Sequence, residues 1–127
     1  MTDEHADAIA NGINRGIYIN KLILKNTGMR DNQALNIIRN MNLQVVRHLD
    51  LSNNPLLTKV FYNELCGLLA DNTVALERIE IEGNNVGDKV IAEMCKAMMI
   101  GKKIVYLNVS KNNITDAGAR DIALLIQ

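Results

Sequence analysis

Aliphatic residues recur along this chain in one fixed order. Two aliphatic positions three residues apart are followed by a third two residues later, then by an asparagine and one more aliphatic. The pattern is complete at Ile104, Leu107, Val109, Asn112 and Ile114, at Leu76, Ile79, Ile81, Asn84 and Val86, and at Val46, Leu49, Leu51, Asn54 and Leu56. A weaker copy has Ile19, Leu22, Leu24, Thr27 and Met29. The copies begin at residues 19, 46, 76 and 104, so the chain is an internal repeat.

Each repeat predicts a strand, a turn and a helix. Alternating apolar residues indicate the strands, and apolar residues three and four apart indicate the helices. The predicted strands are 20–25, 47–52, 77–82 and 105–110, and the predicted helices are 2–14, 31–41, about 59–70, about 88–99 and about 116–126. Asp3, Asp31, Asp88 and Asp116 stand where a helix begins and where its dipole favours negative charge.

Such units cannot bury their apolar side alone and must stack on one another. We therefore predict an α/β fold, a right-handed solenoid or horseshoe, with a parallel sheet on the concave face and helices on the convex face. Asn54, Asn84 and Asn112 lie where the strands end, and an amide side chain can both donate and accept. We expect this asparagine ladder to satisfy backbone groups of its own turn and of the next repeat, and the Thr27 turn to be the loosest.

The repeat resembles the leucine-rich repeats, and units of about 28 residues with a full helix resemble the ribonuclease-inhibitor-like subclass. The similar segments TDEHADAIA from Thr2 and TDAGARDIA from Thr115 extend the resemblance over essentially the whole chain. It implies the horseshoe fold and a function in binding another macromolecule. Relatives of this subclass include ribonuclease inhibitor, a Ran GTPase-activating protein, tropomodulin-type actin cappers, cytosolic immune receptors and axonemal proteins. No residue signature selects one of them.

Residues 1–127 are predicted to form a single leucine-rich-repeat domain, in which residues 1–18 are the helical half of a preceding repeat. Ile122, Leu124, Leu125 and Ile126 look like core rather than a polar cap. We therefore expect a segment of a longer solenoid. The alternative is a small protein whose uncapped ends are covered by self-association.

The strand residues that alternate with the core aliphatics are predicted to face the concave side in rows. The predicted partner-binding residues are Lys21, Ile23, Lys25, His48, Asp50, Arg78, Glu80, Glu82, Tyr106 and Asn108. Exposed tyrosine and arginine among mixed charges favour a protein partner. Alternatively, pairs such as Arg78–Asp50 and Lys21–Glu80 only neutralise one another across strands. An exposed Ile23 has no evident structural purpose in such a strip.

Composition narrows the function further. The chain has 14 basic and 14 acidic residues and no run of either sign, which argues against nucleic-acid and anionic-membrane partners. It begins without the apolar segment of a signal peptide, and no apolar run is long enough for a membrane helix. Two separated histidines, His5 and His48, lack the neighbours that a metal site needs. We expect no cofactor and no catalysis, and predict that Asp50 and Glu80 are solvated carboxylates rather than an acid–base pair.

Cys66 and Cys95 take the same inward position in consecutive helices. Neighbouring helices lie about 8–10 Å apart, and a disulfide needs Cα atoms within about 7 Å. We therefore predict two buried free thiols and a reducing, cytoplasmic location.

The sequence favours a non-catalytic scaffold that binds a partner protein on its concave face. Two alternatives stay open: a regulatory module of a larger protein, of the GTPase-activating, actin-capping or immune-receptor type, and a purely structural spacer.

Overall fold

The structure is a computed structural model that describes residues 1–15 and 19–126. Strands and helices alternate along the whole described chain, as the repeat predicts. In order they are α1 (Asp3–Asn14), β1 (Lys21–Ile23), α2 (Asp31–Arg39), β2 (His48–Asp50), α3 (Lys59–Leu69), β3 (Arg78–Glu80), α4 (Asp88–Gly101), β4 (Tyr106–Asn108) and α5 (Asp116–Leu125). The predicted α/β strand–helix solenoid is confirmed.

The four strands form one parallel sheet in chain order, with no shift in register between the repeats. Leu22, Leu49, Ile79 and Leu107 stand side by side across it. Each strand is three residues long and therefore shorter than predicted. Equivalent residues of the four units, Asn26, Asn53, Gly83 and Lys111, have φ between 54° and 68° and end the extended conformation. The inter-strand hydrogen bonds nevertheless continue to these turns, for example from Asn26 N to Ser52 O (2.9 Å).

The core lies between the sheet and the helices. Leu49, Leu51, Ile79 and Ile81 are completely buried in the two central units. Leu107 and Val109, at the corresponding positions of β4, are only partly buried. No described strand pairs with the outer edge of β4.

The Pro55 loop changes which leucine enters the core. The repeat pattern places Leu56 inward, but Leu56 is 44% exposed and Leu57 is 5% exposed. The longer second unit therefore shifts its last core position by one residue.

Aspartates at helix starts join neighbouring units. Asp31 accepts a hydrogen bond from the Thr58 amide, and Asp88 accepts one from the Thr115 amide, both at 2.8 Å. The two threonine hydroxyls donate to the second oxygens of the same carboxylates. These contacts hold the pKa of Asp88 below its usual value. An aspartate thus fixes the start of the next unit's helix as well as its own.

No helix in residues 1–15 and 19–126 combines the length and the apolar character needed to cross a bilayer.

Candidate protein-binding face

The concave face is built from rows that cross the sheet. The strand register aligns Lys21, His48, Arg78 and Tyr106 in one row, and Ile23, Asp50, Glu80 and Asn108 in the next. All eight residues belong to the predicted partner-binding set. Because neighbouring strands lie about 4.8 Å apart, side chains from distant parts of the sequence form one surface.

A polar cluster occupies the middle of this face. His48 Nε2 lies 2.6 Å from Glu80 Oε2, and Arg78 Nη2 lies 3.4 Å from Glu80 Oε1. The His48 and Glu80 side chains are only 15% and 14% exposed, whereas Arg78 is 44% exposed. The predicted Arg78–Asp50 and Lys21–Glu80 pairs do not form within the described residues, because His48 and Arg78 occupy the Glu80 carboxylate.

Arg78 and Tyr106 form a stacked pair at the β4 side of the cluster. The guanidinium carbon of Arg78 lies 4.0 Å from the centre of the Tyr106 ring. Arg78 Nε is buried and has no hydrogen-bond partner among the described residues. Tyr106 is 42% exposed, so the pair presents a flat, partly apolar surface to the concave side.

The prediction that Asp50 is solvated is wrong. Asp50 is 8% exposed, and its Oδ1 accepts a hydrogen bond from the Ser52 amide at 2.9 Å. Ser52 is also buried, at 3% exposure. Both residues belong to a central unit, where strands on either side cover short polar side chains. Asp50 therefore supports the turn and adds little negative surface.

Glu82 is engaged as well. Lys111 Nζ lies 3.1 Å from Glu82 Oε1, and Asn108 Nδ2 donates to Glu82 Oε2 at 3.2 Å. Lys111 and then Asn108 hold the pKa of Glu82 below its usual range. The remaining predicted residues, Lys21, Ile23 and Lys25, are exposed on β1 and just after it.

Asn54 is completely buried and hydrogen-bonds two turns. Its Nδ2 donates to Leu51 O in its own unit and to Leu24 O in the preceding unit, both at 2.9 Å. Its Oδ1 accepts from the Thr27 amide at 3.2 Å and the Met29 amide at 3.3 Å. Its Nδ2 also donates to Ser52 O at 3.2 Å, so one side chain bonds to five backbone groups.

The other two asparagines continue the ladder. Asn84 Oδ1 accepts from the Asn54 amide at 2.7 Å, and Asn112 Oδ1 accepts from the Asn84 amide at 2.9 Å. The Asn54 and Asn112 side chains bond to backbone groups of their own and of the preceding repeat, and the Asn84 side chain bonds to the preceding repeat. The expected bonds to the next repeat therefore run in the opposite direction. Thr27 donates its hydroxyl to Leu24 O at 3.2 Å and so makes only part of the asparagine pattern. That its turn is the loosest stays a prediction.

Comparisons with known proteins agree with this geometry. A family profile described as "Leucine Rich Repeat" matches residues 46–68, and a second, described as "Leucine Rich repeat", matches residues 102–123. The chain contains leucine-rich repeats. Its repeat lengths and full helices are consistent with the ribonuclease-inhibitor-like subclass predicted from the sequence.

Two solved structures share the fold of this leucine-rich-repeat chain. One is a tropomodulin C-terminal domain from Caenorhabditis elegans, with a TM-score of 0.77 and 13% identity, covering 95% of this chain and 75% of that one. The other is described as leiomodin-1 actin-binding site 2, with a TM-score of 0.75 and 14% identity, covering 98% of this chain and 71% of that one. At such identities the likeness shows the fold alone.

No group of three or more histidine, cysteine, aspartate or glutamate side chains within residues 1–15 and 19–126 could hold a metal ion. A cavity of about 480 Å³ lies between β4, α4 and α5, and its lining includes Met98, Ile104, Tyr106 and Ile122. The repeat pattern did not reveal this cavity, which Tyr106 borders while it also stacks on Arg78.

Both cysteines of the leucine-rich-repeat chain are free, as predicted. Cys95 is buried as predicted, but Cys66 is only half-buried, so the prediction of two buried thiols is wrong for Cys66. Burial, and to a smaller extent the neighbouring Glu93 and Cys95, raise the pKa of Cys66 to about 11. Burial also raises the pKa of Cys95.

This shift predicts slow modification of Cys66. Because the thiolate is the reactive form, raising the pKa from 9.0 to about 11 lowers the thiolate fraction at pH 7.5 roughly a hundredfold. We expect iodoacetamide to alkylate folded Cys66 far more slowly than the urea-unfolded chain, and the folded-state rate to rise up to about pH 11. A Cys95→Ala variant isolates the Cys66 signal in mass spectrometry. Equal rates in folded and unfolded chains would contradict the described environment.

Proposed function

We propose that this chain is a non-catalytic protein-binding module whose concave sheet face receives the partner. The observation that carries the proposal is the Arg78–Tyr106 stack on the concave face. Its row lies beside the row that begins with the exposed Ile23. Arginine and tyrosine are enriched among the residues that dominate binding energy. Glu80, which His48 also contacts, forms an ion pair with Arg78, and this pair reduces the side-chain entropy that Arg78 loses on binding.

The internal pairs on this face also bear on the spacer alternative. The bonds to Glu80 and Glu82 give these two residues a structural role on the face. They give no structural role to the exposed Tyr106 and Ile23. Binding accounts for these exposed residues. A purely structural spacer does not.

Actin is the first candidate partner to assay. The leiomodin-1 domain with the same fold is described as an actin-binding site, and the sequence also leaves an actin-capping type of regulator open. We further propose that the module works in a reducing, cytoplasmic compartment, because its two cysteines are free and their thiols are shielded.

Truncating Tyr106 tests the binding face. We expect Tyr106→Ala to weaken partner binding by about tenfold or more, because an anchor residue contributes on the order of 2 kcal/mol. Binding is measured by co-sedimentation with filamentous actin and by affinity capture from cell extract with quantitative mass spectrometry. Circular dichroism verifies that the variant is folded.

Ile100→Ala is the matched control. Ile100 is 67% exposed on α4 and lies away from the concave rows, so this variant should bind like the wild type. If Ile100→Ala weakens binding and Tyr106→Ala does not, the binding site lies on the helical side. If a protein other than actin is captured, the proposed binding function stands, and that protein replaces actin as the candidate partner.

A further inference from the structure

The acids and bases of the concave face are not equally available. Glu80 is occupied by His48 and Arg78, Glu82 by Lys111 and Asn108, and Asp50 is buried against the Ser52 amide. Lys21 and Lys25 are exposed, and neither forms an ion pair within the described residues. A face with mixed formal charge therefore offers mainly positive charge, concentrated at β1.

Lys21, Ile23 and Lys25 form a regular set. The hydrogen-bond ladder continues beyond β1, from Leu24 N to Asp50 O (2.8 Å) and from Asn26 N to Ser52 O, so the side chains keep alternating through Lys25. Leu24 is buried, whereas Ile23 is 50% exposed. Two lysines thus flank one exposed isoleucine on the same side, at intervals of about 6.8 Å along the strand.

This arrangement complements a particular kind of segment. An extended chain with acidic, apolar and acidic side chains at every second position has the same spacing and the opposite charges. Its carboxylates would meet Lys21 and Lys25, and its apolar side chain would cover Ile23, burying apolar surface that β1 leaves in water.

We infer that the partner presents an extended acidic segment with an apolar residue between two carboxylates, and that Lys21, Ile23 and Lys25 recognise it. The inference rests on the proposed function and names the class of partner for the same face. A nucleic-acid strand also carries negative charge, but it offers no counterpart to Ile23, and the chain has no basic excess to attract it.

The test uses a fluorescein-labelled peptide, Ser-Glu-Thr-Ile-Thr-Glu-Ser, and fluorescence anisotropy with the full chain at low salt. Lys21→Glu/Lys25→Glu should raise the Kd about tenfold, since two exposed ion pairs are lost and two repulsions are introduced. Binding to wild type should also weaken as salt increases. Lys89→Glu/Lys96→Glu, which changes two exposed lysines of α4 by the same charge, should leave the Kd unchanged.

Three outcomes overturn the inference: no binding of the peptide to wild type, equal losses in the two double variants, or equal binding of the peptide with lysines in place of glutamates. Binding of a single-stranded oligonucleotide as tightly as the acidic peptide would overturn it too. If Tyr106→Ala loses the partner while Lys21→Glu/Lys25→Glu keeps it, the binding function stands and the acidic partner class falls.

Discussion

Replacing Asn54 by alanine is expected to lower the free energy of unfolding by roughly 3–5 kcal/mol. The Leu24 and Leu51 carbonyls each lose one of two donors, because the Thr27 hydroxyl and Asn84 Nδ2 still bond to them. The Thr27 and Met29 amides lose their partner, a side chain that is completely buried. Each such group costs about 1–3 kcal/mol when water cannot replace the bond, and partial relaxation reduces the sum. For a small domain this is a large part of the total stability.

Urea unfolding followed by circular dichroism measures the effect. Asn112→Ala is an informative comparison, because Asn112 makes the same bonds but is only partly buried, so water can replace them. We expect it to cost about 1–2 kcal/mol. Asn63→Ala, on the exposed side of α3, should stay within about 0.5 kcal/mol of the wild type. A cost for Asn54→Ala no greater than that for Asn112→Ala would show that burial does not set the strength of the ladder.

Gly101→Ala is expected to destabilise the chain by about 3 kcal/mol. Gly101 ends α4 against the end of α3, and a Cβ placed there would lie 2.0 Å from Leu69 O. A backbone oxygen cannot move aside as a flexible side chain can, so the two helices must separate. The Leu69 side chain lies in the core, so a displaced Leu69 backbone also disturbs core packing.

Gly67→Ala, the same substitution in the neighbouring helix, is expected to raise stability. Gly67 lies inside α3, is exposed, and has no atom within 4 Å of an added Cβ. Alanine there should stabilise the helix by about 1 kcal/mol. In thermal unfolding, Gly101→Ala should lower Tm by about 10 °C and Gly67→Ala should raise it by about 4 °C. An unchanged Tm for Gly101→Ala would mean that α3 and α4 do not approach as closely as described.

Much of the fold could be predicted because one constraint repeats. The aliphatics around Leu49 and Ile79 have the same spacing, so each strand must adopt the register of its neighbour in order to bury them. Their alignment follows from the period alone. The positions of Asp31 and Asp88 likewise predicted helix starts. Their contacts with Thr58 and Thr115 were not predicted, since the repeat pattern was used to locate elements and not the side chains that join them.

The sequence predicts which residues lie on the candidate binding face, but not which of their charges are exposed. The period places Asp50 on the concave face, but it cannot show that strands on both sides cover Asp50 while Lys21 and Tyr106 lie at the sheet's edges. Which base reaches Glu80 depends on side-chain length and rotamer, and His48 lies closer to it than Arg78. The direction of the asparagine bonds was also beyond the pattern, because the turns before and after Asn54 have similar sequences.

Within each strand, neighbouring residues serve different ends. Leu49 and Ile79 are completely buried, whereas Ile23 and Tyr106 lie half in water on the opposite side of the sheet. If the concave face binds a partner as proposed, substitutions at the exposed positions alter the partner without touching the core. Partner preference and foldability can therefore evolve almost independently in this chain.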